Sequence, residues 1–324
     1  MQNSSNNQFV SIIIPVHNRF ALADEAIESV IKQTYRPLEI ILVDDCSEKP
    51  YIPKAEFQNT GEVAIKIFRH ETNRGPGASR ETGRLAATGD YISYLDSDDL
   101  WHPKKLEKQV EKLKENPSAG MCYCKSVEFS CLPLTGNEPN RRRSGQEFSA
   151  FLPTIFSGRP WGTSACIWTR DSVEKIGPWS DAWTWEDYEY DCRAGCYDIG
   201  IVHIPETLCY YRINQQTDQL SFLSYREKLV NKVLPLLKMS SNLSESGMLR
   251  DVFLHKKILK LLRSNAATLL KYQENALALL LINELINLSK RYSFNWLEYS
   301  CINMLLKISD SPLSNRICAR YLKL

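Results

Sequence analysis

The chain has 324 residues, 43% of them hydrophobic and 24% charged, and a net charge of +2. That balance excludes a long disordered or fibrous chain and argues against a dedicated nucleic-acid binder. No apolar run approaches the roughly 18–20 residues of a membrane span, and residues 1–8 have neither the basic nor the apolar region of a signal peptide. At about 150 residues per domain, the length allows one large domain or two smaller ones. The ten cysteines include no Cys-x-x-Cys pair and read as reduced, mostly buried thiols.

The first half alternates strand and helix patterns. Residues 9–16 form a continuous β-branched apolar run, as a strand buried on both faces should. A helix follows over 22–33, then buried strands over 38–43 and 63–68. A turn at Gly75-Pro76-Gly77 opens a helix over 80–88, and a fourth strand covers 91–95. A charged surface helix is expected over 103–115, with proline in its first turn, and a fifth strand over 121–129. This order implies an α/β layer structure with a mainly parallel sheet, whose ligands bind at the C-terminal ends of strands.

Residues 131–160 are irregular and contain the run Arg141-Arg142-Arg143, which reads as a solvated loop beside the cleft. Strands are expected again over 161–170 and 199–212, with a helix over 184–193 between them. His203 falls in an apolar strand and reads as a satisfied core histidine. From residue 222 to the end the pattern is helical, and 16 Lys and Arg stand against 7 Asp and Glu. Arg250, Lys256, Lys257, Lys260 and Arg263 share one helical sector, and Met248, Val252, Ile258, Leu259 and Leu262 fall mostly in the next. Such a basic amphipathic helix suits an anionic membrane surface. The same stripe also suits packing within the protein or a homodimer contact.

Acids collect at strand ends. Asp44-Asp45-Cys46-Ser47 ends the second strand, and Asp96-Ser97-Asp98-Asp99 ends the fourth. Three carboxylates in four residues repel one another, so a positive partner is expected, most simply a divalent cation that keeps positions open for substrate phosphates. A turn with an Asp cap before Pro103 is the simpler alternative, and for Asp99 alone it is preferred. The second cluster is Trp185-Glu186-Asp187-Tyr188-Glu189-Tyr190-Asp191. On a helix, adjacent Glu186 and Asp187 point about 100° apart, so one of them can face a given target. Thr184-x-x-Asp187 also fits a capping box.

In order along residues 9–221, these motifs resemble the inverting glycosyltransferases of family 2, which have the GT-A fold. Residues 10–19 resemble that family's opening strand and nucleotide loop, and 43–47 its Val-Asp-Asp-x-Ser turn. Residues 73–80 resemble its Asn-x-Gly helix start, and 89–99 its strand ending in the Asp-x-Asp motif. Glu186-Asp187 resembles its acid pair, and Tyr211-Arg212 the Tyr-Arg element that follows. The resemblance implies a Rossmann-like nucleotide-binding sheet flanked by helices. The catalytic domain would be 1–221, with a nucleotide-sugar half at 9–130 and an acceptor half at 131–221, and 222–324 would be a C-terminal α-helical extension.

It also implies roles. Pro15, Val16, His17, Asn18 and Arg19 match the nucleotide loop, with Asp45 on the base and Asp44 supporting the turn. Arg80, Ser97 and Arg212 match donor contacts. Asp96 matches the ribose-side acid and metal neighbour, and Asp98 the ligand of a Mn2+ or Mg2+ ion. Asp187 matches the catalytic base and Glu186 its partner near the acceptor. Among the second-half aromatics, Trp161-Gly162-Thr163 and Trp185 are the acceptor-side candidates. Many relatives carry a His soon after Tyr-Arg, but here Ile213-Asn214-Gln215-Gln216 follows. The expected activity is hexosyl transfer from a nucleoside diphosphate sugar, UDP-linked by preference, to a hydroxyl of a glycan, lipid-linked or peptide acceptor. The expected place is the cytoplasm or the inner face of the membrane. Two rivals are an inactive sugar-nucleotide-binding scaffold and a sugar nucleotidyltransferase. Intact Asp98 and Asp187 speak against the first, and the missing glycine-rich Arg/Lys phosphate loop against the second.

Overall fold

A computed structural model describes residues 8–58, 63–141, 143–213 and 223–292. They fall into two compact units, Met1–Asp181 with Tyr197–Gln216, and Ala182–Cys196 with Thr217–Leu324. Asn214–Gln216 and the residues from 293 onward lie outside the described residues.

 Of the loop after Arg212, only Ile213 is therefore placed, and of the central arginine run only Arg141 and Arg143.

The first unit is built on an eight-stranded sheet. Its strands are β1 (Val10–Val16), β2 (Leu38–Asp44), β3 (Val63–Arg69), β4 (Tyr91–Tyr94), β5 (Leu100–Trp101), β6 (Ala119–Phe129), β7 (Cys166–Thr169) and β8 (Gly200–Arg212), in the spatial order β3-β2-β1-β4-β7-β6-β8-β5. The β3-β2-β1-β4 half is parallel throughout, and its inner strands are the continuous apolar runs that burial on both faces selects. β7 runs antiparallel to both β4 and β6, and β5 antiparallel to β8, so the sheet is mixed where a mainly parallel one was expected. The strand expected over 161–170 shrinks to β7, preceded by a 3-10 turn at Thr163–Ala165. In that turn the Ser164 carbonyl accepts the Trp101 indole N–H at 2.8 Å, and the Ser164 hydroxyl donates to Asp99.

Helices α1 (Phe20–Ile31), α2 (Ala55–Gln58), α3 (Gly75–Ala86), α4 (Lys105–Glu115) and α5 (Arg170–Ile176) complete this unit. Ala23, Ala26, Ile27 and Val30 of α1 join Ile12, Ile14, Ile40 and Leu42 of the sheet in one core. α3 begins at Gly75, so the glycine turn expected before a helix is its first turn. It lies close on β1, since a Cβ added at Gly83 would sit 2.3 Å from Ile13 Cγ2. The N-terminal end of the sheet is closed by Glu39, whose carboxylate accepts from Ser11 Oγ at 2.7 Å, from the Thr88 N–H at 2.9 Å and from Lys66 Nζ at 2.7 Å. Burial pushes the Glu39 pKa up, but Lys66, Ser11 and Thr88 outweigh it and hold it below the ordinary value. The polar network at one end leaves the other, C-terminal end of β1, β2 and β4 for the site.

Lys105 and His203 are among the buried polar side chains of this unit that carry an atom without a hydrogen-bond partner among the described residues. Lys105 is fully buried, and its ammonium has no hydrogen-bond partner among the described residues but sits 3.9 Å over the Trp101 ring. Burial lowers its pKa. Lys105→Met is expected to stabilise the protein by about 1–3 kcal/mol, because an unpartnered polar group leaves an apolar site. Denaturant melts of the two proteins check this, and a lower midpoint for the variant would contradict it.

His203 is buried on β8 and stacks on Tyr123 at 4.6 Å, and its Nε2 has no partner among the described residues, so it is a core histidine but not a satisfied one. Burial lowers its pKa from 6.5 against the opposing pull of Glu147. The fold therefore favours neutral His203, and its stabilising contribution is present above the unfolded pKa of about 6.5 and is lost as pH falls toward the depressed folded value. Replacing His203 with Phe is expected to flatten the stability profile below pH 6.5, which melts between pH 5 and 8 would measure.

The second unit holds α6 (Glu186–Cys196), α7 (Tyr225–Asn231), α8 (Val233–Glu245), α9 (Val252–Lys271) and α10 (Asn275–Arg291). A boundary at 221 does not isolate the C-terminal helices, because α6 packs with α8. Buried Glu189 is paired to Arg193 and accepts from Asn242 Nδ2 at 3.1 Å. The amphipathic stripe also differs from expectation. Met248 and Arg250 lie in a separate 3-10 turn, and Val252 is exposed. The buried face of α9 is Leu254, Ile258, Leu262 and Ala266, packed on α10. Its apolar side is thus covered within the unit, and Lys256 and Lys260 remain as exposed charges. No helix among the described residues is long and apolar enough to cross a membrane.

Candidate functional site

Three parallel strands, β1, β2 and β4, deliver their C-terminal ends to one edge of the first unit. After β1 the chain turns through His17, Asn18 and Arg19. Asn18 takes a left-handed φ of 54°, which Asn tolerates better than most residues. Its N–H donates to Ser47 Oγ at 2.9 Å, and its side-chain oxygen accepts the Glu48 N–H at 2.8 Å, tying this loop to the turn after β2. His17 Nδ1 lies 2.8 Å from the Asp45 carbonyl. Pro15 is half-buried in β1, whereas the Val16 side chain is buried in the core, so only its backbone is left to a ligand.

The two acids after β2 have separate tasks. Asp44 accepts the Ser47 N–H at 2.9 Å and the Tyr51 N–H at 3.1 Å, and it pairs with Arg69. Burial raises its pKa, but these hydrogen bonds and Arg69 leave it below the ordinary value. Asp45 reaches the start of α3. Its Oδ2 accepts the Gly75 N–H at 2.7 Å, and its Oδ1 accepts the Arg74 N–H at 2.9 Å and lies 2.7 Å from His70 Nδ1. α3 has no side-chain cap of its own, so a carboxylate from the neighbouring strand satisfies its free N–H groups. Three of the roughly four acceptor positions of Asp45 are thereby filled. His70 and Arg69 carried no motif in the sequence; their roles come from the register that sets the end of β3 beside Asp44.

The turn after β4 separates its three carboxylates. Asp96 Oδ1 accepts from Arg80 at 2.7 Å, and Asp98 Oδ2 accepts from Arg19 at 3.2 Å. The Asp96 and Asp98 side chains are 29% and 15% exposed. Asp99 is fully buried, accepting from Ser164 Oγ at 2.6 Å and from the Arg212 N–H at 3.1 Å. Burial, with Asp98 and Asp96 beside it, raises the Asp99 pKa well above the ordinary carboxylate value. Asp99 is therefore a strut to β7 and β8, not a helix cap: α4 starts later, after Lys104. Ser97 is buried between the two accessible acids. Arg212 is also a strut, since its Nε donates to the Asp98 carbonyl at 2.9 Å and its Nη2 pairs with Glu25 of α1. Arg80, nearly buried, stacks 5.0 Å from the Trp179 ring.

Arg19 and Arg80 thus balance much of the repulsion that pointed to a cation in the sequence. The remaining test is the donor set. No group of three or more His, Cys, Asp or Glu that could cage a metal occurs among the described residues. Two partly accessible carboxylates, Asp96 and Asp98, fit the hard-cation mode in which one or two acids and substrate phosphates share an Mg2+ or Mn2+.

The second unit carries the other acids. Trp185 precedes α6 with a φ of 64°, a strained value for a bulky residue, and stacks on Tyr188 at 4.7 Å with Lys232 over its ring. Glu186 is buried, while Asp187 is partly exposed and accepts the Tyr188 N–H at 2.8 Å. The capping box does not form: the helix starts two residues after Thr184, whose buried hydroxyl has no hydrogen-bond partner among the described residues.

The acceptor-side candidates divide. Trp161 is 0% exposed, wedged between Tyr123 at 4.8 Å and Phe151 at 5.4 Å, and cannot offer a ring face to a sugar. Gly162 and Thr163 are buried against Arg141 and Arg159. Trp185 is partly exposed, though Tyr188 stacks on its ring and Lys232 lies over it.

The model of the family described as glycosyl transferase family 2 matches residues 11–175, just over half of the chain and the whole stretch from β1 to α5. The chain belongs to this family. An uncharacterized glycosyltransferase of Haemophilus influenzae is 34% identical over 114 residues, 35% of this chain and 37% of that protein, so the match spans little more than a third of this relative. One from Nostoc is 28% identical over 228 residues, 66% of this chain and 68% of its own. The Escherichia coli protein WfgD, named as a glucosyltransferase from UDP-Glc to a GlcNAc-diphosphoundecaprenol, is 35% identical over 112 residues, 34% of this chain and 43% of its own. Among solved structures, Staphylococcus aureus TarS in complex with UDP-GlcNAc is 15% identical and covers 98% of this chain and 92% of its own, with a TM-score of 0.61. That likeness supports the GT-A fold of this family 2 chain.

Proposed function

We propose that this family 2 chain is an inverting, metal-dependent hexosyltransferase that moves a sugar from a UDP-sugar to a hydroxyl of a glycan or lipid-linked glycan. The observation that carries the reading is the cluster at the strand ends of the first unit. Accessible Asp96 and Asp98 are each set against an arginine, beside a helix start fixed by Asp45. The donor class is supported by TarS, solved with UDP-GlcNAc, and by WfgD, named for UDP-Glc and a lipid-linked acceptor.

In this reading the His17–Arg19 loop and Asp45 border the nucleoside, and Arg80 and Arg19 face the diphosphate. Asp96 and Asp98 would hold the Mn2+ or Mg2+, which when bound offsets negative charge on the leaving diphosphate. Asp187 accepts the proton of the acceptor hydroxyl as its oxygen attacks C1 from the face opposite the diphosphate. Glu186 beside it orients the pair, and partly exposed Trp185 borders the acceptor sugar. Positioning of the two substrates supplies much of the rate. Exposed Lys256 and Lys260 suit an anionic membrane surface near a lipid-linked acceptor, at roughly 1 kcal/mol each and screened by salt. A panel of sugar nucleotides, read by released nucleoside diphosphate with and without chelator, tests the reading. Diphosphate release from none of them would refute it.

A further inference from the structure

Arg141 belongs to the arginine run expected to be a solvated loop, but it is buried, and none of the family motifs includes it. It follows β6, with its N–H donating to the Ser126 carbonyl at 3.1 Å, and only 8% of the residue is exposed. Its guanidinium lies 3.7 Å from the centre of the Tyr211 ring on β8. The backbone of Gly162 is also close, since a Cβ there would lie 2.5 Å from Arg141 Nη1. The tyrosine ring and the glycine backbone thus both lie against the flat guanidinium. Among the described residues no carboxylate pairs with it. A guanidinium stays charged at any physiological pH, and burying an unpaired charge is unfavourable, with a ring face only a partial substitute for a counter-ion.

The place of this charge is specific. Tyr211 adjoins Arg212, whose N–H donates to Asp99 and whose Nε donates to the Asp98 carbonyl. Burial, with Asp99, Asp96 and Asp98 nearby, pushes the Tyr211 pKa up to about 12, and Arg141 opposes it. The unpaired cation is therefore set against the same turn that carries the accessible acids, on the β8 side, while Arg19 and Arg80 approach that turn from β1 and α3.

We propose that Arg141 binds the diphosphate of the sugar nucleotide, its phosphate oxygens being the counter-ion that the protein itself does not supply. The inference rests on the nucleotide-sugar reading and adds to it a third arginine, held by Tyr211 and Gly162. A flat fork is suited to two phosphate oxygens at once.

The test is calorimetric binding of UDP and of uridine to the full chain with Mn2+. Arg141→Gln is expected to weaken UDP at least about tenfold and to leave uridine within twofold, since a charged hydrogen bond to phosphate is lost and the nucleoside contacts are not. Gly162→Ala keeps the arginine but displaces its tip. The displaced atom is the end of a flexible side chain, so the fold tolerates the change, and a threefold or greater loss for UDP alone is expected. This second variant decides the matter if Arg141→Gln does not fold. UDP affinity within twofold of wild type in the folded variants overturns the inference, and so does an equal loss for UDP and uridine. Wild-type protein that binds no UDP overturns the nucleotide-sugar reading and this inference with it.

Discussion

Asp187→Asn should lower sugar transfer by about 10²- to 10⁴-fold, the range a positioned general base contributes, while leaving UDP binding unchanged. Asn keeps the size of the side chain and its hydrogen bonding but cannot accept a proton. Asp187 is preferred to Glu186 for physical reasons. Both stand in the first turn of α6, where the helix dipole favours the ionised form, but Glu186 is buried and Asp187 is partly exposed to an incoming hydroxyl. UDP binding is spared because the proposed donor contacts all belong to the first unit. Single-turnover transfer and UDP titration of both variants check this. Near wild-type transfer by Asp187→Asn, with Glu186→Gln inactive, would exchange the two roles.

Asp98→Asn should be nearly as severe, with a loss of about 10²- to 10³-fold if it removes charge stabilisation of the leaving group. It should also abolish the dependence of UDP affinity on Mn2+, a readout independent of turnover. Asp99→Asn is the informative comparison. Asp99 is fully buried with its pKa raised, and the neutral amide resembles the protonated acid that burial favours, so this variant should lose far less. Metal-dependent UDP binding that survives Asp98→Asn would remove Asp98 from the ligand set.

The pattern of the parallel half was legible because period and burial coincide there: the apolar runs at 9–16 and 38–43 allow no other placement than inner strands. The second half was less so. The run at 161–170 is apolar because Trp161 is a core residue, not because the whole run is strand, and its polar groups bond across to Trp101 and Asp99. α5 is short and capped by Thr169, whose side chain accepts the Ser172 N–H, a local signal the period alone does not show.

At the site, the sequence marks which carboxylates matter, since they end strands, but not their partners. Arg69 and His70 reach Asp44 and Asp45 through strand register, and Arg212 reaches Asp98 across 114 residues. Long-range pairings of this kind leave no mark in local spacing. For the same reason the repulsion among these acids is smaller than their spacing suggests: Arg19, Arg80 and the buried setting of Asp99 each relieve part of it.

The most direct measurement follows one reaction by NMR, with a UDP-sugar donor, Mn2+ and a glycan acceptor. Proposed chemistry predicts one UDP released per sugar transferred and an anomeric configuration in the product opposite to that of the donor, with both signals lost in excess chelator. A product that retains the donor configuration, or release of UMP or pyrophosphate in place of UDP, would contradict it.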